Sequence, residues 1–258
     1  MYHNGENLHE KGGDENQSSY HLAMGIVAVK RNGTIQIFRT IQKEVEEAIK
    51  NYTEQNFDFL QFKSKSKDEV FVENLNIENC KITGIQCKSL RFLKCSFKNV
   101  VFENSFNEVY MSMESCDFEG CRFHDTFEGN DLELVIRDCT FSNCLFENIS
   151  YNSIQVQSNI VNCKLINCNF RKIQIEGDLC FIGLEMSGGK VEDFHFWGNQ
   201  ILANEFSNMQ IKDANMNAAL IKNRMEDVIF ENVTLKGYNK ENTFTNCDTS
   251  GFTFIQDY

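Results

Sequence analysis

The sequence predicts an all-β chain wound into a stacked parallel solenoid. Three observations carry this: an apolar period of five, its return about one coil later, and the absence of proline. From Val70 the chain divides without a gap into VFVEN, LNIEN, CKITG, IQCKS, LRFLK, CSFKN and VVFEN, ending at Asn104. The first position is apolar (Val70, Leu75, Cys80, Ile85, Leu90, Cys95, Val100) and so is the third (Val72, Ile77, Ile82, Cys87, Phe92, Phe97, Phe102). The fifth is Asn, Gly, Ser or Lys, types that mostly tolerate turns. Five matches neither the 3.6 of a helix nor the unbroken alternation of a long strand. It fits a short extended step and a corner, so that four steps close a coil and coils pair roughly 4.8 Å apart. Proline would remove a ladder N–H, and the chain has none.

Downstream the pentads return at 116–125, 139–158, 163–177, 184–198, 209–223 and 228–237. Between some of them lie NEVYMSMES (107–115) and DLELVIRD (131–138), which place Val109, Met111, Met113 and Leu132, Leu134, Ile136 on one side. These predict longer strands on one face of a widened coil. Residues 214–227 keep the pentad register but also read as a helix, and both readings stand. The pairs Cys116/Cys121, Cys139/Cys144 and Cys163/Cys168 recur about one turn apart, each followed two places on by an aromatic or Leu. That spacing predicts inward thiols on adjacent walls, acting as small hydrophobes. Zinc asks for four converging ligands, usually at C-x₂₋₄-C spacing, so no metal or other cofactor is expected.

The run 70–104 and its later copies, covering about residues 70–237, resemble the pentapeptide-repeat proteins. The resemblance implies a right-handed quadrilateral parallel β-helix with an inward Leu or Phe at the pentad centre. A general right-handed β-helix with coils of about 22 residues is the alternative. Some members of that family imitate duplex DNA and bind type II topoisomerases; others are scaffolds or bacterial effector segments.

Before the solenoid, residues 1–19 read as a disordered N-terminus and 20–69 as a cap closing its open end. Within 23–40, two alternating runs flank Asn32-Gly33, a hairpin signal. In 41–55, Ile41, Val45, Ile49 and Tyr52 are spaced as on an amphipathic helix. The solenoid is expected to occupy 70–258. The first twenty residues hold no apolar run, and no stretch reaches the roughly 18–20 apolar residues of a membrane span. Eleven cysteines, an odd number, fit free thiols and a reducing, cytoplasmic setting. An exported bacterial effector would look the same.

A net charge of −12 disfavours direct binding of nucleic acid and points to a protein partner. Charge is banded: Lys81, Lys88, Arg91, Lys94 and Lys98 precede a stretch, 103–147, with eleven acids against Arg122 and Arg137. Two readings follow. In the first, Glu103, Glu114, Asp117, Glu119, Asp125, Glu128, Asp131 and Asp138 form an acidic stripe that imitates a polyanion before a DNA-handling enzyme with a basic groove. In the second, they are solvated surface on a scaffold or effector. In FHFWG (194–198), Phe194 and Phe196 take inward positions and His195 and Trp197 outward ones. Either the neighbouring 199–208 covers Trp197 or it is a partner contact. The C-terminal end is a candidate for homodimer contact. Carbohydrate-active β-helix enzymes form a third class, needing carboxylate pairs, which Asp125, Asp138 and Glu147 supply only if gathered on one wall. No catalytic residue is assigned, and the chain is expected not to be an enzyme.

Overall fold

The computed structural model describes the strands Gln17–His21, Val27–Arg31 and Thr34–Ile37, and residues 69–256 except 75, 80, 84–88, 107–108 and 131–132. From residue 69 the chain is a parallel β-solenoid of about eight turns, with no helix among the described residues. Val27–Arg31 and Thr34–Ile37 pair antiparallel across Asn32-Gly33, with Arg31 opposite Thr34. Gln17–His21 adds a third strand, three residues of which fall in the segment expected to be unstructured. The expected helix at 41–55 lies outside the described residues.

Each coil has four walls. Wall 1 begins with Glu69–Glu73, Ser89–Leu93, Tyr110–Glu114 and Leu134–Arg137. Wall 2 is a ladder of nine three-residue strands from Asn76–Glu78 to Thr243–Thr245. Wall 3 runs from Lys81–Thr83 through Val101–Glu103 and Arg122–His124. From Leu145–Val161 onward walls 3, 4 and 1 share long bent strands: Asn169–Ile182, Lys190–Leu202 and Gln210–Ile221. Wall 4 then continues through Ile229–Gly237 to Phe252–Gln256. Nine rungs at roughly 4.8 Å make a stack about 40 Å tall.

The centre of wall 3 steps through Ile82, Phe102, Phe123, Phe146, Phe170, Val191, Ile211 and Phe230. Coils therefore lengthen from 20 residues (Ile82 to Phe102) to 24 (Phe146 to Phe170), then shorten to 19 (Ile211 to Phe230). The surplus lies between walls 3 and 1. There the Ser158 hydroxyl, fully buried, accepts the Leu134 N–H at 3.0 Å and bonds to the Tyr151 hydroxyl. Segment 214–227 is strand, turn and strand, so its pentad register wins over its helix propensity. Ladder pairing on both sides outweighs the few tenths of a kcal/mol per residue that separate side chains in helix propensity.

Corners explain the fifth pentad position. Asn74, Asn79, Lys94, Asn99 and Asn104 all have φ between 46° and 56°, the left-handed region that Asn tolerates best among non-glycine residues. The same corners recur down the stack, and Asn99 Nδ2 donates to Asn79 Oδ1 at 3.0 Å one coil away.

Inside, pentad centres stack. Phe97, Phe118 and Phe141 on wall 2 lie 4.8 and 4.6 Å apart, nearly parallel. On wall 3, Phe102, Phe123, Phe146 and Phe170 stack at 4.7 to 4.8 Å. The columns meet edge to face, as at Phe118–Phe123 (5.6 Å, 61°), an arrangement that aromatic quadrupoles favour.

Candidate functional site: the outer walls and the face around Trp197

The candidate acids do not line up on one wall. Glu114 leaves wall 1, Asp117 and Glu119 wall 2, and Glu103 wall 3. Asp138 sits at the corner of walls 1 and 2, Asp125 at that of walls 3 and 4, and Glu128 follows on wall 4. Asp131 lies outside the described residues. The basic band, one coil above, faces these acids. Arg91 reaches Glu114 at 2.8 Å and Lys98 reaches Glu119 at 3.2 Å, while Lys81 pairs with Glu103. Arg122 and Arg171 converge on Glu147 at 2.6 and 3.6 Å, and further down Lys164 meets Glu185 and Lys212 meets Glu231, both at 2.8 Å. The Glu231 hydrogen bond raises the Lys212 ammonium above its usual range. Residues 19 to 24 apart in sequence are vertical neighbours, so the banded sequence becomes ladders of alternating sign. Of the carboxylates raised for catalysis, Asp138 is separated from Asp125 and Glu147, which share the wall 3 side with His124.

Trp197 is not covered by residues 199–208: half of it is exposed. Inward Phe196 is fully buried, and Phe194 packs beside it. Gly198 follows because a Cβ there would lie 2.0 Å from the Phe196 ring. In register, Trp197 stands between Glu176 and Asn217, and His195, two residues back on the same face, between Gln174 and Asn215. Gln174 donates to Glu176 at 2.8 Å. Beside this face runs a trench of about 350 Å³ lined by Asn104, Asp125, Asn148, Lys172, Gln174 and His195, among others. The corner residues of walls 3 and 4 form one rim, wall 4 the floor.

The cysteine pairs are packing. Cys116 and Cys121, like their later copies, are buried at the starts of walls 2 and 3, and the nine described cysteines are free. Their thiols donate to backbone carbonyls, Cys121 to Phe97 O at 3.3 Å and Cys168 to Phe141 O at 3.3 Å. Contact with the thiol of the neighbouring coil, and burial, push Cys121, Cys139 and Cys168 well above the ordinary thiol range.

A feature missed in the sequence continues the wall 2 thiol column. After Cys95, Cys116, Cys139, Cys163 and Leu184, the same slot holds Asn204, Asn223 and Asn242. Asn204 Oδ1 accepts the Leu184 N–H at 2.7 Å, and Asn223 Oδ1 the Asn204 N–H at 2.9 Å. Asn223 Nδ2 donates to Ile201 O and to Asn242 Oδ1 at 2.7 and 2.9 Å. The signal was there: asparagines 19 apart at a position that is elsewhere apolar.

No family model matches the chain, and no curated protein matches it. Among solved structures it is similar to HetL, a pentapeptide repeat protein involved in heterocyst differentiation regulation from the cyanobacterium Nostoc sp. strain PCC 7120. That match has 8% identity, a TM-score of 0.34, and spans 76% of this chain and 90% of HetL. It is also similar to the catalytic domain of a GH87 alpha-1,3-glucanase, in complexes with tetrasaccharides (10% identity, TM-score 0.27) and with nigerose (11%, 0.24). Both span 79% of this chain and 56% of the glucanase chain. The chain is a parallel β-solenoid of stacked pentads.

Proposed function

We propose that the protein is a non-enzymatic recognition solenoid that binds another protein. The observation that carries this reading is the rim of the last two coils. Ile229, Tyr238, Phe244 and Ile255 are exposed there, and Phe252 and Phe254 are half-buried. Among the described residues, Thr243–Thr245 and Phe252–Gln256 are paired on one side only. Apolar side chains around a strand edge suit a protein partner, which adds main-chain hydrogen bonds to side-chain burial. A second copy of this chain is one such partner, giving a homodimer through the C-terminal end.

The finer reading, imitation of a DNA polyanion toward a type II topoisomerase or a similar enzyme, draws support from the net charge of −12. Against it, Arg91, Lys98, Arg122 and Lys164 stand in the same ladders as the acids. The scaffold or effector reading therefore has the better support. The nine free thiols fit a reducing compartment such as the cytoplasm.

Affinity capture from nuclease-treated lysate, beside sedimentation of the isolated protein, tests these readings. With Tyr238→Ser and Ile255→Ser combined, the captured partner or the self-association is lost, whereas Glu119, Asp125, Glu128 and Asp138 changed to Lys leave it intact. Retention by the first variant and loss by the second, with binding that weakens steeply in salt, would establish mimicry instead.

A further inference from the structure

We propose that the outer face of wall 4 around Trp197 is a binding site for a neutral oligosaccharide. Trp197 is half exposed, and its register neighbours Glu176 and Asn217 are both polar. So are His195, Gln174 and Asn215, one step back along the same strands. A protein contact centred on Trp is built with apolar neighbours that exclude water from its middle. Among the described residues Trp197 has none on this face: the nearest exposed apolar residue down its own ladder is Ile255, beyond Asn217 and Lys236.

An indole face amid carboxamides, a carboxylate and an imidazole matches a ligand with an apolar C–H face and a hydroxyl rim, which describes a sugar ring. The indole covers the C–H face. Asn217, Gln174 and Glu176 provide donors and acceptors in the planar pairs that vicinal hydroxyls require. The polar trench extends the site beyond one ring, with His195 belonging both to the trench and to the Trp197 strand. Charge then selects the ligand. Asp125, Glu128 and Asp193 line the trench against Lys172, and Glu176 lies beside Trp197, so uronates are repelled and neutral sugars admitted. The face is a parallel sheet with strands on both sides, which holds these side chains at fixed spacing.

Trp197 is the chain's one tryptophan, so its emission reads the site directly. The full chain is titrated with maltohexaose, cellohexaose, laminarihexaose and chitohexaose, and with hexagalacturonate as the acidic arm, to about 1 mM. At least one neutral hexaose shifts or quenches the emission and gives a calorimetric isotherm, while hexagalacturonate does neither. Trp197→Ala then lowers the calorimetric affinity roughly tenfold or more, with unchanged circular dichroism, and Trp197→Phe recovers part of it. Asn217→Ala weakens binding by about threefold to tenfold through its lost hydrogen bonds. The proposal is overturned if none of the neutral hexaoses binds, if Trp197→Ala binds as the parent does, or if hexagalacturonate binds best. Release of new reducing ends would uphold the site and overturn the non-enzymatic reading. Tyr238→Ser with Ile255→Ser leaves hexaose binding unchanged, which separates this site from the protein-binding rim.

Discussion

The upper and lower coils solve one problem in two ways. At the start of wall 2 the N–H groups of Cys95, Cys116, Leu184, Asn204 and Asn223 each point to a side-chain acceptor on the coil below. In the upper coils the acceptor is sulfur: Cys95 N–H points to Cys116 Sγ and Cys116 N–H to Cys139 Sγ, both at 3.4 Å. In the lower coils it is Asn Oδ1, at 2.7 to 2.9 Å. The upper solution is weak in hydrogen bonding, and it coincides with the aromatic columns, which end at Phe141 on wall 2 and Phe170 on wall 3. Below them Leu165, Met186, Val191, Ile211 and Met225 take pentad centres, and the rings that return, Phe206, Phe230 and Phe244, alternate with them instead of stacking in an unbroken column. An apolar cavity of about 160 Å³ lies inside this region, lined by Phe146, Leu165, Met186, Val191 and others. Dispersion between stacked rings holds the upper coils; where the rings no longer form unbroken columns, a polar ladder takes over the specification of register.

Four substitutions test that contrast, in falling order of effect. Phe123→Ala removes a ring stacked on both Phe102 and Phe146, and should cost about 3–5 kcal/mol in denaturant unfolding. Asn223→Leu keeps the branched shape but orphans the Asn204 N–H and the Ile201 carbonyl, for roughly 2–4 kcal/mol. If this variant were as stable as the parent, the ladder would be dispensable and the contrast would fail. Cys139→Ala at the equivalent upper position should cost less, about 1–2 kcal/mol, since its sulfur contacts are long. Arg91→Ala breaks an exposed pair with Glu114 and should cost about 0.5 kcal/mol at low ionic strength, vanishing in high salt.

The thiols add a pH signature to the upper coils. Cys121, Cys139 and Cys168 are raised in the folded state, so the unfolded chain loses those protons first. Their contribution is complete below the unfolded thiol pKa of about 8.5 and declines as pH climbs above it. Unfolding followed from pH 7 to 10 should show the decline, and Cys121→Ala should reduce it.

How much was legible follows from particular residues. The pentads set out the wall centres at Phe97, Phe102, Phe118 and Phe123, and the corners at Asn79 and Asn99, because a five-residue step with a left-handed corner leaves its mark on every copy. Inward Phe196 and outward Trp197 were equally legible from alternation. The Asn204–Asn223–Asn242 column was not, since an Asn reads as a turn residue until a coil above and a coil below supply its partners. Nor was the charge pattern. Lys98 and Glu119 lie in bands of opposite sign in the sequence and in one ion pair on wall 2.

The sequence by itself determined the step and the corner, hence the coil and the inward face, because those depend on contacts within five residues. The tertiary structure decided what each coil meets above and below. Coil lengths vary from 19 to 24 residues, so the vertical neighbour of a side chain is fixed by register rather than by a constant spacing. Ion pairs, the asparagine ladder and the polar setting of Trp197 are all vertical relations, and they appear once the coils are stacked.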